Sequence, residues 1–126
     1  MLQLLTRPLD GLTSFVLHRA LLGDQVRNRQ YQAAIHRLVR EGDVVVDLGA
    51  GTGLLGLFAC QAGARHVIAI ERGPFRDVGA RLFERNGYAD RVTWISEDSL
   101  EVSLTSKVDV VVTETLGNFA IDEGIV

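Results

Sequence analysis

The chain has 126 residues, of which 47% are hydrophobic and 23% charged, with thirteen Lys and Arg against sixteen Asp and Glu. The net charge of −3 argues against a general nucleic-acid binder, because attraction to phosphate requires clustered positive charge. The one cysteine, Cys60, excludes an intramolecular disulfide, and its spacing from the three histidines does not suit a zinc site.

Neither the apolar runs nor the first residues indicate a membrane or secretory destination. The apolar runs are shorter than the roughly 18 residues of a membrane-spanning helix. Arg7, Asp10 and Arg19 interrupt the apolar core that a signal peptide needs. We therefore expect a cytoplasmic protein that binds neither membranes nor nucleic acids, and its length suits one domain of roughly 100–150 residues.

Helices are predicted before residue 42. Residues 1–22 are rich in leucine and end at Gly23, which favours a partly helical segment. A second helix is predicted from Asp24, its N-cap, to about Arg40. Its apolar stripe recurs at helical spacing and consists of Tyr31, Ala34, Ile35 and Leu38. We assign residues 1–42 to an N-terminal helical segment and residues 43–126 to a second unit.

In that second unit, strands alternate with helices. Strands are predicted at residues 44–46, 67–70, 92–95 and 108–113, which are rich in β-branched residues. Helices are predicted at residues 54–62 and from Pro74 to Asn86. Such alternation implies right-handed crossovers. The sequence therefore predicts an α/β fold with a doubly wound, mostly parallel sheet, preceded by the N-terminal helices.

A glycine-rich turn follows the first predicted strand and reads Asp47-Leu48-Gly49-Ala50-Gly51-Thr52-Gly53. Glycines there allow a tight turn and the close approach of a ligand. The dinucleotide fingerprint would place its third glycine at position 54, which is Leu54. Asp47 would repel a pyrophosphate and attract a cation, so phosphate is not the expected ligand.

Two further acidic residues follow the next two predicted strands. Glu71 closes the second strand, where a carboxylate can accept both hydroxyls of a ribose. Asp98 follows the third strand and is placed to accept the exocyclic amine of an adenine. The alternative interpretation is a turn without a ligand and acidic residues that are merely exposed at strand ends.

With these motifs the sequence resembles the class I S-adenosylmethionine-dependent methyltransferases, whose first motif, ribose-binding acid and adenine-side acid match the turn, Glu71 and Asp98. The resemblance implies a Rossmann-like methyltransferase fold and S-adenosyl-L-methionine as cofactor. A sulfonium cation without a phosphate suits carboxylates and open glycine backbone. The implied cofactor-binding residues are Arg27, Asp47, Gly49, Gly51, Gly53, Glu71 and Asp98, with residues 1–42 covering the site.

Two segments narrow the resemblance to the protein arginine methyltransferases. One runs from His18 to Tyr31, where Arg27 matches the family arginine that reaches the cofactor carboxylate and helps hold an active-site glutamate. In the other, Glu114 and Glu123 have the nine-residue spacing of the family's two-glutamate loop. The resemblance implies that these two glutamates are catalytic and grip a guanidinium, which stays cationic and offers a planar set of donors.

The sequence also departs from that family. Thr115 and Leu116 stand where the family usually has Trp and Met, and the family's N-terminal Tyr-Phe-x-x-Tyr pattern is missing. The methyl acceptor can therefore be a protein arginine, another nucleophile or a small molecule. A non-catalytic cofactor-binding fragment is the remaining alternative.

The resemblance also predicts an incomplete sheet. Class I methyltransferases usually have seven strands in the order 3-2-1-4-5-7-6, and this chain provides the first four. We expect residues 43–126 to form a partial, apparently truncated cofactor-binding domain in which residues 108–113 are an edge strand. Because an apolar edge invites pairing, a homodimer or a partner chain at that edge is a further expectation.

Overall fold

The structure is a computed structural model that describes residues 11–114, with side chains from Phe15 onward. A parallel four-stranded sheet has the order β3-β2-β1-β4. In chain order the elements are α1 (Gly11–Gly23), α2 (Gln25–Leu38), β1 (Val44–Leu48), α3 (Leu54–Gln61), β2 (His66–Ile70), α4 (Arg76–Arg85), a 3-10 turn (Ala89–Arg91), β3 (Val92–Ile95) and β4 (Val110–Thr113). This confirms the predicted doubly wound α/β fold.

The central strand β1 is buried on both sides, as its run of valines predicts. Val45 pairs with Val67 of β2 on one side and with Val110 of β4 on the other. Val45 and Val46 are both buried, and consecutive strand residues point to opposite faces of a sheet. Both faces of the sheet are therefore covered at β1, which is usual for parallel sheets.

Helix α3 supplies more residues to the buried core of residues 11–114 than any other helix or strand. All six of its residues from Leu55 to Cys60 are buried, and it contacts α2, β1 and β2. It also lies beside α4, because a Cβ added at Gly56 would meet Phe83 Cζ at 3.4 Å. Phe83 in turn packs edge-on against Trp94 of β3. The turn that precedes α3 therefore packs against core side chains, among them Phe83 and Trp94.

The start of α2 is capped as predicted. The Asp24 carboxylate accepts a hydrogen bond of 3.0 Å from the backbone N–H of Arg27, and such a cap satisfies one of the open donors of a helix start. The cap fixes the first turn of α2, which carries Arg27.

The predicted apolar stripe of α2 is wrong at two of its four positions. Tyr31 and Ile35 pack against the core, whereas Ala34 is exposed and Leu38 is 66% exposed. Val39, just past the helix, is buried instead. The residues that face the core, Tyr31, Ile35 and Val39, are therefore four residues apart. The residues three positions after Tyr31 and Ile35, which also fit a helical stripe, are exposed.

Several element boundaries differ from the prediction by one or two residues, among them the starts of β4 and α4. Strand β4 begins at Val110 rather than at residue 108, because the Asp109 carboxylate itself accepts the backbone N–H of Val44 at 2.8 Å. Helix α4 begins at Arg76 with Phe75 as N-cap, so Pro74 precedes the helix instead of opening it.

Strand β4 forms one edge of the sheet within residues 11–114, and Val111 is 55% exposed there. Among the helices of the same range, none combines the length and the apolar character needed to cross a membrane.

Candidate active site

A cavity of about 630 Å³ opens at the carboxyl ends of β1 and β2. This volume is in the range of small-molecule sites. The sheet order reverses between β1 and β4, and doubly wound folds bind their ligands at such a switch point. Helices α1 and α2 supply part of its wall.

The cavity brings together most of the residues that the sequence singled out. The predicted site residues in its lining are Arg27, Asp47, Gly49, Gly51, Glu71, Asp98 and Glu114. Gly53 is not part of the lining, and Glu123 lies outside the described residues. The individual roles of these residues in binding and catalysis remain predictions.

The turn between β1 and α3 depends on glycine for two different reasons. Gly51 has a φ of +55°, and a Cβ there would come within 2.6 Å of the Nε2 atom of His18 across the cavity. Gly53 has a φ of +76°, and its Cβ would come within 2.8 Å of the Trp94 ring in the core. Gly51 therefore allows the His18 ring to lie against the turn on the cavity side, and Gly53 allows close packing on the core side.

Glu71 holds this turn against the loop after β2. One carboxylate oxygen accepts the backbone N–H of Gly51 at 2.6 Å, and the other accepts that of Gly73 at 2.6 Å. Each carboxylate oxygen has a second lone pair. The Glu71 carboxylate is thus fixed at the cavity wall and can still accept hydroxyl groups.

Asp47 lies beneath the turn and is 1% exposed. Its carboxylate accepts the backbone N–H of Gly56 in the first turn of α3 at 2.8 Å. Burial raises the pKa of Asp47 from 3.8 to about 7, a rise that the Gly56 hydrogen bond opposes and the charge of Glu71 reinforces. Asp47 therefore anchors the start of α3 and carries a proton that titrates near neutral pH.

At the other end of the cavity, Arg27 and Glu114 form a two-point ion pair. Arg27 Nε donates to Glu114 Oε1 at 2.8 Å, and Nη2 pairs with Oε2. The remaining nitrogen, Nη1, donates to the Asn28 side chain at 2.6 Å, and the guanidinium lies 5.0 Å from the ring centroid of Tyr31. Charge-assisted bonds of this fork type fix orientation strongly. They bring Glu114 to the cavity wall in a defined position.

Asp98 lies near the loop after β2 and is also held by two partners. One of its oxygens accepts the backbone N–H of Leu100 at 3.1 Å, and the other accepts Arg72 Nη1 at 2.8 Å. The Leu100 hydrogen bond, and after it the Arg72 guanidinium, keep the pKa of Asp98 below its usual range.

A family model described as ribosomal protein L11 methyltransferase (PrmA) matches residues 32–122, most of the chain. The chain belongs to the S-adenosylmethionine-dependent methyltransferases. The match covers every strand of the sheet and the glycine-rich turn, so it confirms the predicted family and its fold.

Within the methyltransferases, the chain is similar to protein arginine methyltransferases. Protein arginine N-methyltransferase 1.1 of Arabidopsis thaliana is 36% identical over 92% of this chain and 30% of its own length. Protein arginine N-methyltransferase 1 of Oryza sativa subsp. indica is 37% identical over 92% of this chain and 31% of its own length. The chain thus spans about a third of the length of these relatives.

The structure is similar to that of a chain of the Trypanosoma brucei PRMT1 enzyme–prozyme heterotetrameric complex with AdoHcy. The TM-score is 0.76 at 34% sequence identity, over 82% of this chain and 33% of that chain. The predicted resemblance to the arginine methyltransferases is confirmed.

Sequence reasoning missed one residue in the cavity lining of this methyltransferase, Arg72, and one residue beside the lining, Asn28. His18 of α1 also lines the cavity; its ring lies over Gly51 and stacks on Phe75, with the two ring centroids 3.8 Å apart. Asn28 and Arg72, which contact Arg27 and Asp98, were not singled out. The signal that could have found them is their position directly after Arg27 and Glu71, two residues that the sequence did single out.

The buried Asp47 predicts how the stability of this methyltransferase depends on pH. Because the folded pKa is raised from 3.8 to about 7, the stabilising contribution of protonated Asp47 is complete below pH 3.8 and is lost as the pH rises through about 7. The shift corresponds to on the order of 4 kcal/mol. We expect Asp47→Asn to flatten the fall in unfolding free energy over this range, as measured by urea denaturation.

Asp90→Asn is the matched control, because Asp90 is exposed on the 3-10 turn. It should keep the wild-type slope of unfolding free energy against pH. A slope in Asp47→Asn equal to that of the wild type would show that Asp47 does not titrate as described.

Proposed function

We propose that this chain binds S-adenosylmethionine in the cavity and is the methyl-transfer portion of an enzyme that methylates a guanidinium nitrogen of protein arginine. The observation that carries the proposal is the Glu114 carboxylate, held by Arg27 in the same cavity as Glu71 and the glycine-rich turn. The proposal rests on this arrangement together with the arginine methyltransferase relatives.

The cofactor end fits a nucleoside better than a phosphate. Glu71 and Asp98 are acceptors suited to ribose hydroxyls and to an adenine amine. The backbone of the glycine-rich turn at Gly49 and Gly51 lines the cavity without a Cβ, which suits close contact with the cofactor. Arg27 is one of two arginines in the described lining, and it is the one proposed to bind the cofactor carboxylate. When bound, the cofactor supplies an electrophilic methyl group on a sulfonium.

The acceptor end fits a cationic, planar group. A guanidinium remains charged in proteins and offers several N–H donors in one plane. Glu114 oxygens that already accept bonds from Arg27 retain further lone pairs for such donors. A carboxylate in this position orients one nitrogen for attack and stabilises the guanidinium charge until its proton leaves, and orientation of this kind lowers a barrier substantially. Glu123 is proposed as the second carboxylate.

The cofactor part of the proposal predicts the effect of Glu71→Gln. The amide has only one acceptor oxygen, so its NH₂ group would face a backbone N–H of Gly51 or Gly73 and could not accept a ribose hydroxyl. We expect the Kd for S-adenosylhomocysteine to rise at least about tenfold, as measured by calorimetry.

Glu84→Gln is the matched control, because Glu84 is exposed on α4, and it should bind like the wild type. A wild-type chain that does not bind S-adenosylhomocysteine would overturn the cofactor site. Equal binding by Glu71→Gln and the wild type would remove the role assigned to Glu71.

The acceptor part predicts a different pattern for Glu114→Gln. The amide removes the negative charge beside the guanidinium, so methylation of an arginine-rich peptide should fall at least about a hundredfold. S-adenosylhomocysteine should still bind, because Glu71 and Asp98 are unchanged. Mass spectrometry of peptides that contain arginine, or lysine in its place, measures the transfer and identifies the acceptor.

Three results contradict arginine methylation by this chain in distinct ways. Equal turnover by Glu114→Gln and the wild type would end the role of Glu114. Methylation of another acceptor alone would favour the second candidate, a different nucleophile or a small molecule. Cofactor binding without any methyl transfer would indicate that the chain is a non-catalytic cofactor-binding fragment.

We also propose that the N-terminal helical segment, residues 1–42, covers the cofactor site in a cytoplasmic enzyme, and that a second copy of the chain pairs with the edge of β4. The exposed Val111 supports the pairing, because an apolar edge strand can extend across two chains. Sedimentation velocity should therefore detect a dimer that Val111→Lys weakens.

Leu38→Lys, at an exposed apolar residue of α2, should leave that dimer intact. A wild-type chain that stays monomeric at every concentration would contradict pairing at β4.

A further inference from the structure

We propose that Arg72 is a positioning residue that holds Asp98 ready for the base of the nucleoside, and that this contact sets a preference for adenine over a base with a carbonyl at that position. The inference rests on the proposed cofactor site and adds to it a residue outside the glycine-rich turn and the acidic side chains.

The backbone around Arg72 is fixed on both sides. Glu71 N–H donates to Ile95 O of β3 at 3.0 Å, which continues the pairing of the two strands by one residue. Gly73 N–H donates to the Glu71 carboxylate at 2.6 Å, which closes a small ring around Arg72. The backbone position of Arg72 beside the end of β3 is therefore fixed by hydrogen bonds of both neighbouring residues.

The contact with Asp98 leaves that carboxylate oriented but not saturated. Arg72 Nη1 donates to Oδ2 at 2.8 Å, and Leu100 N–H donates to Oδ1 at 3.1 Å. Each oxygen keeps a free lone pair. An amine that arrives from the cavity meets a carboxylate whose rotation is already restricted, so less conformational freedom is lost on binding.

The exposure of this pair argues against a role in stability. Arg72 is 73% exposed and Asp98 34% exposed at their side chains, and exposed ion pairs contribute little to folding. Both residues line the cavity. The pair is therefore better placed to affect a ligand than to hold the fold together.

The preference for adenine follows from the charge state of Asp98. An ionised carboxylate accepts hydrogen bonds and donates none. Hydrogen bonding by Leu100 N–H and by Arg72 keeps the pKa of Asp98 below its usual range, so the group is an acceptor at neutral pH. An exocyclic amine satisfies it, whereas a carbonyl oxygen at the same place would face two acceptor oxygens.

The neighbouring Arg76 provides a matched control. It also lies between β2 and β3 and is exposed, but its Nη1 atom lies 3.4 Å from the Ser96 hydroxyl and the cavity lining does not include it. Arg72→Gln and Arg76→Gln remove the same charge from the same region, and only the first removes a contact to Asp98.

Calorimetry with two ligands tests the proposal on the intact chain. The ligands are S-adenosylhomocysteine and S-inosylhomocysteine; in the second, a carbonyl oxygen replaces the base amine and the adjacent N1 carries a hydrogen. We expect the wild type to prefer the adenine compound and Arg72→Gln to lower that preference about three- to tenfold. Arg76→Gln should keep the wild-type preference, and Arg72→Lys should restore it to within about twofold.

The ratio of the two affinities separates this proposal from simpler effects. A general loss of charge or stability would weaken both ligands equally and leave the ratio unchanged, which would overturn the role of Arg72. A ratio that falls as far in Arg76→Gln would overturn it as well. If the wild type bound neither ligand, the proposed cofactor site itself would fail. If the wild type bound S-adenosylhomocysteine but Arg72→Gln left the ratio of the two affinities unchanged, the proposed cofactor site would remain. Only the role of Arg72 would then be contradicted.

Discussion

The Glu71 carboxylate is the contact on which the organisation of the cavity depends. It accepts the backbone N–H groups of Gly51 and Gly73, so it joins the turn after β1 to the loop after β2. Both segments leave parallel strands at the same end of the sheet, where backbone hydrogen bonds continue for a short distance, as from Ala50 N–H to Ile70 O at 2.9 Å. The Glu71 carboxylate adds two hydrogen bonds beyond the last backbone contact, and the same carboxylate lines the cavity.

Three other acidic side chains of the cavity are likewise held by hydrogen-bond donors: Asp47, Asp98 and Glu114. Asp47 is held by Gly56 N–H, Asp98 by Leu100 N–H and Arg72, and Glu114 by Arg27. Acidic groups so close together would otherwise raise one another's pKa, as the effect of Glu71 on Asp47 illustrates. The donors allow a set of acceptors to be fixed before any ligand binds, which lowers the entropic cost of binding.

Much of this arrangement could be predicted from sequence because parallel strands bring their carboxyl ends to one edge. The positions of Gly51, Glu71 and Asp98 directly after three strands were sufficient to place them in one cavity. The burial of Asp47 could not be read in the same way, since it depends on how α3 packs against β1. The exposure of Leu38 was missed because two helical spacings fit the same apolar residues, and tertiary packing decides between them.

The N-terminal helices complete a site that the sheet alone leaves open. His18 from α1 lies over Gly51, and Arg27 from the first turn of α2 holds Glu114 beyond the end of β4. Arg27 also bonds Asn28 and lies near the ring of Tyr31, so several residues of one helix determine its orientation. The Asp24 cap fixes the turn that carries it. The position of the glutamate proposed to receive the substrate therefore depends on where α2 begins, which links a local helix signal in the sequence to the acceptor end of the cavity.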